Sequence, residues 1–258
     1  MDSKRIAAVV FALVVPTVVT LVYFVWLKEF APGAKQIAYA IGKSIQFGFP
    51  LLFVWVFDRT FFNRSRQRDQ SVDEALVDNG PGNPAQFKGG WLTGTLFGFA
   101  VAIAIPTIYF LFIDGSSIAP GLLERVKEKT AGNGIDSTGK FIALGVFYAL
   151  CHSFLEEYYW RWFVFGQLKK LVSVSGANII SSLGFMAHHV VLLAVFFESW
   201  TSPLTWLFSA GICIGGIFWA WLYEKTGSLK VVWISHLLVD AGIFFLGYLL
   251  LRGVLQQV

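Results

Sequence analysis

Charge is what this sequence has least of. Only 14% of its 258 residues are charged, where a soluble domain carries about 25%. The shortage falls in long apolar runs, and 56% of the chain is hydrophobic with a mean hydropathy of +0.64. That pattern excludes an ordinary soluble enzyme. Cysteine is scarce as well. Cys151 and Cys213 both sit inside apolar runs, so neither a structural disulfide nor a cysteine metal site is expected. No clustered basic face accompanies the formal charge of +4, which argues against a nucleic-acid partner. The first apolar run, Ile6–Leu27, has no convincing small-residue cleavage site and reads as a retained span. Internal repeats and low-complexity tracts are also missing.

What remains is a set of runs long enough to cross a bilayer, each needing roughly 20 apolar residues. Seven fit: Ile6–Leu27, Ile37–Phe57, Gly90–Ile113, Phe141–Leu168, Ala177–Phe197, Pro203–Tyr223 and Leu229–Leu250. Continuous rather than alternating hydrophobicity makes them helices. The expected fold is an all-α polytopic membrane protein: a bundle of seven helices, or eight with a missed or half-inserted segment, around an intramembrane polar cavity. Residues 1–139 supply N-terminal spans and polar loops, and 140–250 the helices that carry the chemistry. Between spans, Asp58–Gly89 is a polar loop with Arg59, Arg64, Arg66 and Arg68, and Leu122–Lys129 suits a short interfacial helix. With the N-terminus inside, eleven Lys and Arg lie on the inner face and seven on the outer. This bias favours that orientation and places membrane lipids among the partners.

Ionisable residues within a span cost about 2.5–3.5 kcal/mol each at a helix centre on insertion scales. Here they concentrate. The fourth span holds His152, Glu156, Glu157 and Arg161, the fifth His188 and His189, and the seventh His236 and Asp240. All four histidines of the chain fall in these three spans. At a rise of 1.5 Å per residue, Glu156 and His189 each lie about 18 Å from helix ends on one membrane face. His236 and Asp240 lie roughly 10 and 16 Å in from the same face. An inside N-terminus makes that face cytoplasmic. Glu157 and Arg161 are spaced i and i+4, so Glu157 is expected to be neutralised by Arg161 while Glu156 faces the histidines. His152–Glu156 and His236–Asp240 share this spacing. For His152 and His188 a satisfied core role is the stronger reading. Tyr158, Tyr159, Trp160 and Trp162 read as packing or lipid-facing residues. Gly211, Gly215 and Gly216 read as points of close helix approach. Lys43 and Gln46 are polar within the second span, and either snorkelling or cavity lining fits them.

Three segments resemble the motifs of the CPBP family, the CAAX-protease and bacteriocin-processing group of intramembrane proteases. Glu156-Glu-Tyr-Tyr-Trp-Arg161 resembles EExxxR, Phe185-Met-Ala-His-His189 resembles FxxxH, and His236-Leu-Leu-Val-Asp240 resembles HxxxN/D. They occur in the family's order, one per helix, over about Lys140–Leu250. The resemblance implies an endopeptidase acting on a membrane-associated or lipidated protein or peptide. By analogy Glu156 activates a water shared with His189, His236 and Asp240 serve the oxyanion, and Glu157 and Arg161 brace the site. Asp240 departs from the frequent Asn. An ionised Asp cannot donate to an oxyanion, so it is expected either protonated or orienting His236. No cofactor is expected. If the reaction is metal-dependent, Glu156, His189 and His236 are the ligand set for zinc. Two other functions stay open: a non-catalytic scaffold or bacteriocin-immunity-type protein, and an ion-coupled transporter.

Overall fold

A computed structural model describes residues 2–57, 89–132 and 134–255. The polar loop with Arg59, Arg64, Arg66 and Arg68 lies outside the described residues, apart from Gly89. Among the described residues, seven helices are long and apolar enough to cross a membrane: α1 (Ser3–Trp26), α2 (Gly33–Phe57), α3 (Gly90–Ile113), α5 (Thr138–Leu168), α6 (Val174–Phe196), α7 (Pro203–Thr226) and α8 (Leu229–Arg252). Their ends match the sequence expectation to within four residues. An eighth, shorter helix, α4 (Ala119–Gly132), contains the expected interfacial segment. Among the described residues there is no strand. The chain is an integral multi-pass membrane protein.

Local chemistry sets the helix limits. Ser137, Ser173 and Ser202 each cap a following helix by accepting a backbone N–H, from Lys140, Gly176 and Leu204 respectively. Pro203 occupies the first turn of α7, where its missing N–H costs nothing. Gly227 ends α7 in the left-handed conformation, at φ 63°, and its N–H returns to the Tyr223 carbonyl. The long α5 is not uniform. It widens to π-type hydrogen bonding over Tyr148–His152 and again over Tyr158–Phe165, with a five-residue α-helical segment, Ser153–Glu157, between.

The chain divides into two compact units, and the division falls inside α5, between Glu157 and Tyr158. One unit comprises Gly89–Glu157 and Ser228–Val258. Here α3 and α8 pack backbone to backbone. A Cβ on Gly98 would stand 2.7 Å from the Ser235 carbonyl oxygen, and one on Gly242 would stand 2.6 Å from the Ala102 Cα. Small residues are what let two helices approach so closely within lipid. Phe141 and Leu251 form a buried apolar cluster with Val126 of α4 and with Ile135, Phe244 and Tyr248.

The other unit comprises residues 1–88 and Tyr158–Gly227. Its core is aromatic: Phe163 meets Phe49 and Phe53 at 5.8 Å between ring centroids. Tyr159 is fully buried and its hydroxyl donates to the Ala12 carbonyl at 2.7 Å. Arg5, also buried, donates to Gln167 Oε1 at 2.9 Å. Lys43 donates to the buried Gln46 side chain at 3.1 Å. Gly216 packs against Ser182 and Phe185, as expected of a close approach, whereas a Cβ on Gly211 would meet nothing within 4 Å.

Candidate active site

The Gly89–Glu157/Ser228–Val258 unit gathers five of the ionisable residues singled out in the sequence. His152, Glu156 and Glu157 come from α5, and His236 and Asp240 from α8. The α3–α8 packing anchors α8 at Ser235 and Leu238, the residues on either side of His236 and His236's next neighbour, Leu237. On α5, the π-type turn over Tyr148–His152 changes the angle at which the next turn presents its side chains, and such turns recur at functional sites.

His236 is the hub. Its Nδ1 lies 2.7 Å from Glu157 Oε1. A carboxylate only accepts, so Nδ1 carries the proton and donates. Its Nε2 faces two further carboxylates, Asp240 Oδ1 at 3.6 Å and Glu156 Oε2 at 3.8 Å. The other oxygen of Glu156, Oε1, stands 3.4 Å from His152 Nε2. Glu157 is fully buried, and Glu156 and His236 are nearly so. Asp240 and His152 keep 17% and 19% of their side-chain surface exposed, so these two border the accessible side of the cluster.

The shortest contact of the His236 ring is to Glu157 on another helix, and the expected His236–Asp240 pair stands at 3.6 Å. Glu157 fixes the tautomer and direction of His236 in the manner of a carboxylate–histidine pair. Asp240 sits on the opposite, Nε2 side of the ring. Three carboxylates and two imidazoles thus stand within 4 Å of a partner in one cluster. Such a cluster can take a proton from water and hand it on, which is what general acid–base chemistry requires.

Arg161, His188 and His189 belong to the other unit. Arg161 is fully buried, its guanidinium carbon 4.9 Å from the Phe185 ring centroid and 5.5 Å from that of Trp219. Both are cation–π distances. His188 is buried and stacks on Trp160 with 2° between the ring planes. His189 is half-buried, and its Nδ1 lies 2.9 Å from the Phe185 carbonyl. The carbonyl accepts, so Nδ1 donates and Nε2 is left as the basic nitrogen. Phe185, the first residue of its motif, thus touches both Arg161 and His189. Of the aromatics, Tyr159 and Trp160 are fully buried packing residues.

The donor set also has the chemistry of a metal site. His236 Nε2 and Glu156 Oε2 are nitrogen and oxygen ligands of the type zinc takes, and the Glu157–His236 hydrogen bond is the outer contact that metal-bound histidines usually make.

Sequence reasoning ranked His152 with the satisfied core residues and did not single out Tyr148, whose ring lies 4.9 Å from that of His152. The signal for His152 was present in its i, i+4 spacing to Glu156. Tyr148 stands i, i+4 from His152 in the same way, but an aromatic in an apolar run does not stand out from its neighbours.

Residues 138–242 match the family model described as type II CAAX prenyl endopeptidase Rce1-like. All three motifs lie within the matched segment, so the resemblance holds over the residues that carry it. No curated protein and no solved structure matches the chain.

Proposed function

We propose, on the premise that residues 138–242 are of the Rce1-like endopeptidase type, that this protein hydrolyses a peptide bond of a membrane-associated or lipidated protein or peptide. The observation that carries the reading is the cluster of buried Glu156, Glu157 and His236 with partly exposed Asp240 beside them, held by a 2.7 Å charge-assisted hydrogen bond in a membrane protein. Groups this costly to bury within a bilayer mark function before packing.

In the proposed reaction Glu156 takes a proton from a water, and the resulting hydroxide attacks the scissile carbonyl carbon. The tetrahedral intermediate places a negative charge on the former carbonyl oxygen. His236, oriented by Glu157 through Nδ1, offers Nε2 to that oxygen, and a protonated imidazole there is a preorganised donor. The proton on Glu156 then passes to the departing amine. Asp240 lies on the Nε2 side of His236, at 3.6 Å, where it helps to orient the ring. His189 joins as the second group on the water. That assignment rests on its motif, and its Nδ1 contact to the Phe185 carbonyl supports it by leaving Nε2 basic. Glu157 and Arg161 act as braces. The site opens to the cytoplasmic face, the side that the Lys and Arg bias favours.

Zinc is the alternative for the water. Glu156, His189 and His236 would hold it, and it would supply a water acidic enough to attack at neutral pH. Chelator treatment separates the two: full activity after exhaustive chelation supports the metal-free route.

Glu156→Gln keeps the shape of the side chain and removes the base. Comparison of terminal peptides in membranes holding the wild type or Glu156→Gln tests activity and names substrates together. The expected result is a set of cleaved termini that disappears with the variant. Identical termini in the two samples would sink the hydrolytic reading. Full biological function in Glu156→Ala cells would favour a scaffold or immunity role, and ion-dependent flux in liposomes a transporter.

A further inference from the structure

The proposed hydrolysis uses Glu156, Glu157, His236 and Asp240 but gives His152 no part. Its placement is specific. The two oxygens of the Glu156 carboxylate face different imidazoles: Oε1 is 3.4 Å from His152 Nε2 and Oε2 is 3.8 Å from His236 Nε2. A glutamate side chain has three rotatable bonds, and its terminal torsion is broad and nearly unconstrained on its own. Holding one oxygen fixes where the other points. A general base must point at its water, and a misplacement of about 1 Å can cost 100-fold in rate.

The His152 ring is itself held. Tyr148, one turn earlier, lies 4.9 Å from it with the planes tilted by 60°. Tyr148 in turn rests against Phe244 of α8 at 5.5 Å, and Phe244 meets Phe141 in the apolar cluster. A line of ring contacts therefore runs from the packed end of this unit to the carboxylate. The π-type turn that spans Tyr148–His152 sets the pitch of this line. Beside it, exposed Leu150 and Phe154 show the apolar side chains that this stretch of α5 uses where only lipid contact is needed. A histidine with 19% exposure and a nitrogen on Glu156 is a different choice.

We propose that His152 is the positioning residue of Glu156: its Nε2–H holds Oε1 and so presents Oε2 to the water. This rests on the hydrolytic reading above for its purpose, but the contact stands apart from it. Contacts of this kind are commonly long in an unliganded enzyme and tighten around substrate.

Two substitutions separate positioning from packing. His152→Phe keeps a ring against Tyr148 and removes the donor. His152→Gln gives up the ring but places an amide N–H near the Nε2 position. With purified protein in liposomes and an internally quenched peptide ending in a prenylated CaaX sequence, His152→Phe should lower kcat roughly 100-fold with KM within about twofold. His152→Gln should recover at least a tenth of the wild-type kcat. Equal kcat in the two variants, or an unchanged kcat with a lowered Tm in both, would overturn the proposal. A second measurement needs no turnover. In protein carrying ring-15N histidine, the His152 Nε2 resonance, assigned by its loss in His152→Phe, should move on Glu156→Gln substitution. If it stays fixed, the contact is not made and the proposal fails. If it moves while the wild type cleaves nothing, the hydrolytic reading fails and the contact survives.

Discussion

Arg161 and His236 are both buried within a membrane protein, in different compact units, and they differ in what their side chains can do. Arg161 lies within cation–π distance of Phe185 and Trp219. His236 lies among three carboxylates, one at hydrogen-bond distance. A guanidinium does not give up its proton under any ordinary condition, so its charge is fixed. Imidazole gains and loses a proton near neutrality. The difference teaches where to look for chemistry in a chain with several buried polar groups. It belongs where protons can move, and the place where they cannot is scaffold.

The largest effect that would sharpen this contrast is a folding effect. Leucine at position 242 would drive a side chain into the Ala102 backbone, which is already 2.6 Å from where a Cβ would stand. Backbone cannot rotate away, so Gly242→Leu is expected to exceed the usual overpacking cost of about 1–3 kcal/mol and to yield no folded protein. Gly211→Leu in the other unit meets open space and should stay within about 0.5 kcal/mol of wild type. Size-exclusion profiles and thermal melts in one detergent compare the two. Equal losses would mean that small-residue packing does not distinguish the units.

Next comes a dissociation between stability and rate. Arg161→Met keeps bulk between Phe185 and Trp219 but loses the cation, which is worth about 2 kcal/mol when desolvated. Its melting temperature should fall, and cleavage per folded molecule should fall less than tenfold. Glu157→Gln retains an acceptor for His236 but not the charge, and the difference between charged and neutral hydrogen bonds is about 1 kcal/mol. Its melting temperature should move little while kcat drops more than tenfold. Reversed behaviour of the two would exchange their roles and break the comparison.

Much of this was legible in the sequence, for identifiable reasons. Span positions follow from hydropathy, since a bilayer imposes length and polarity together. The residues of the cluster follow from the cost of burying Glu156, Glu157, His236 and Asp240 in such spans. Their partners follow only in part. A helical wheel finds neighbours on one helix, and its pairs His152–Glu156 and His236–Asp240 stand at 3.4 and 3.6 Å. The hydrogen bond from His236 reaches another helix, to Glu157. Depth counts had a similar limit. They put Glu156 and His236 at unequal depths, and the two side chains still stand 3.8 Å apart.

The smallest effect tests whether burial or spacing makes the His152–Glu156 contact matter. The same unit contains an exposed i, i+4 pair between a basic and an acidic group. Lys140, in the first turn of α5, donates to Asp136 Oδ2 at 2.7 Å, and both side chains are more than half exposed. The Lys140 hydrogen bond holds the Asp136 carboxyl below the usual carboxylate range. A lowered folded-state value stabilises above the unfolded value near 4 and is lost as pH falls through the folded one. Such a pair in water is worth little, because solvent screens it and both side chains give up entropy to form it. Asp136→Asn should therefore leave the melting temperature at pH 7 unchanged within error and leave kcat unchanged. Its only trace should be a slightly weaker dependence of stability on pH below about 5. The pair is shorter than the His152–Glu156 contact, 2.7 Å against 3.4 Å, so distance alone would rank it higher. If Asp136→Asn costs as much as His152→Phe, spacing is what matters and the case for a buried cluster loses its physical basis.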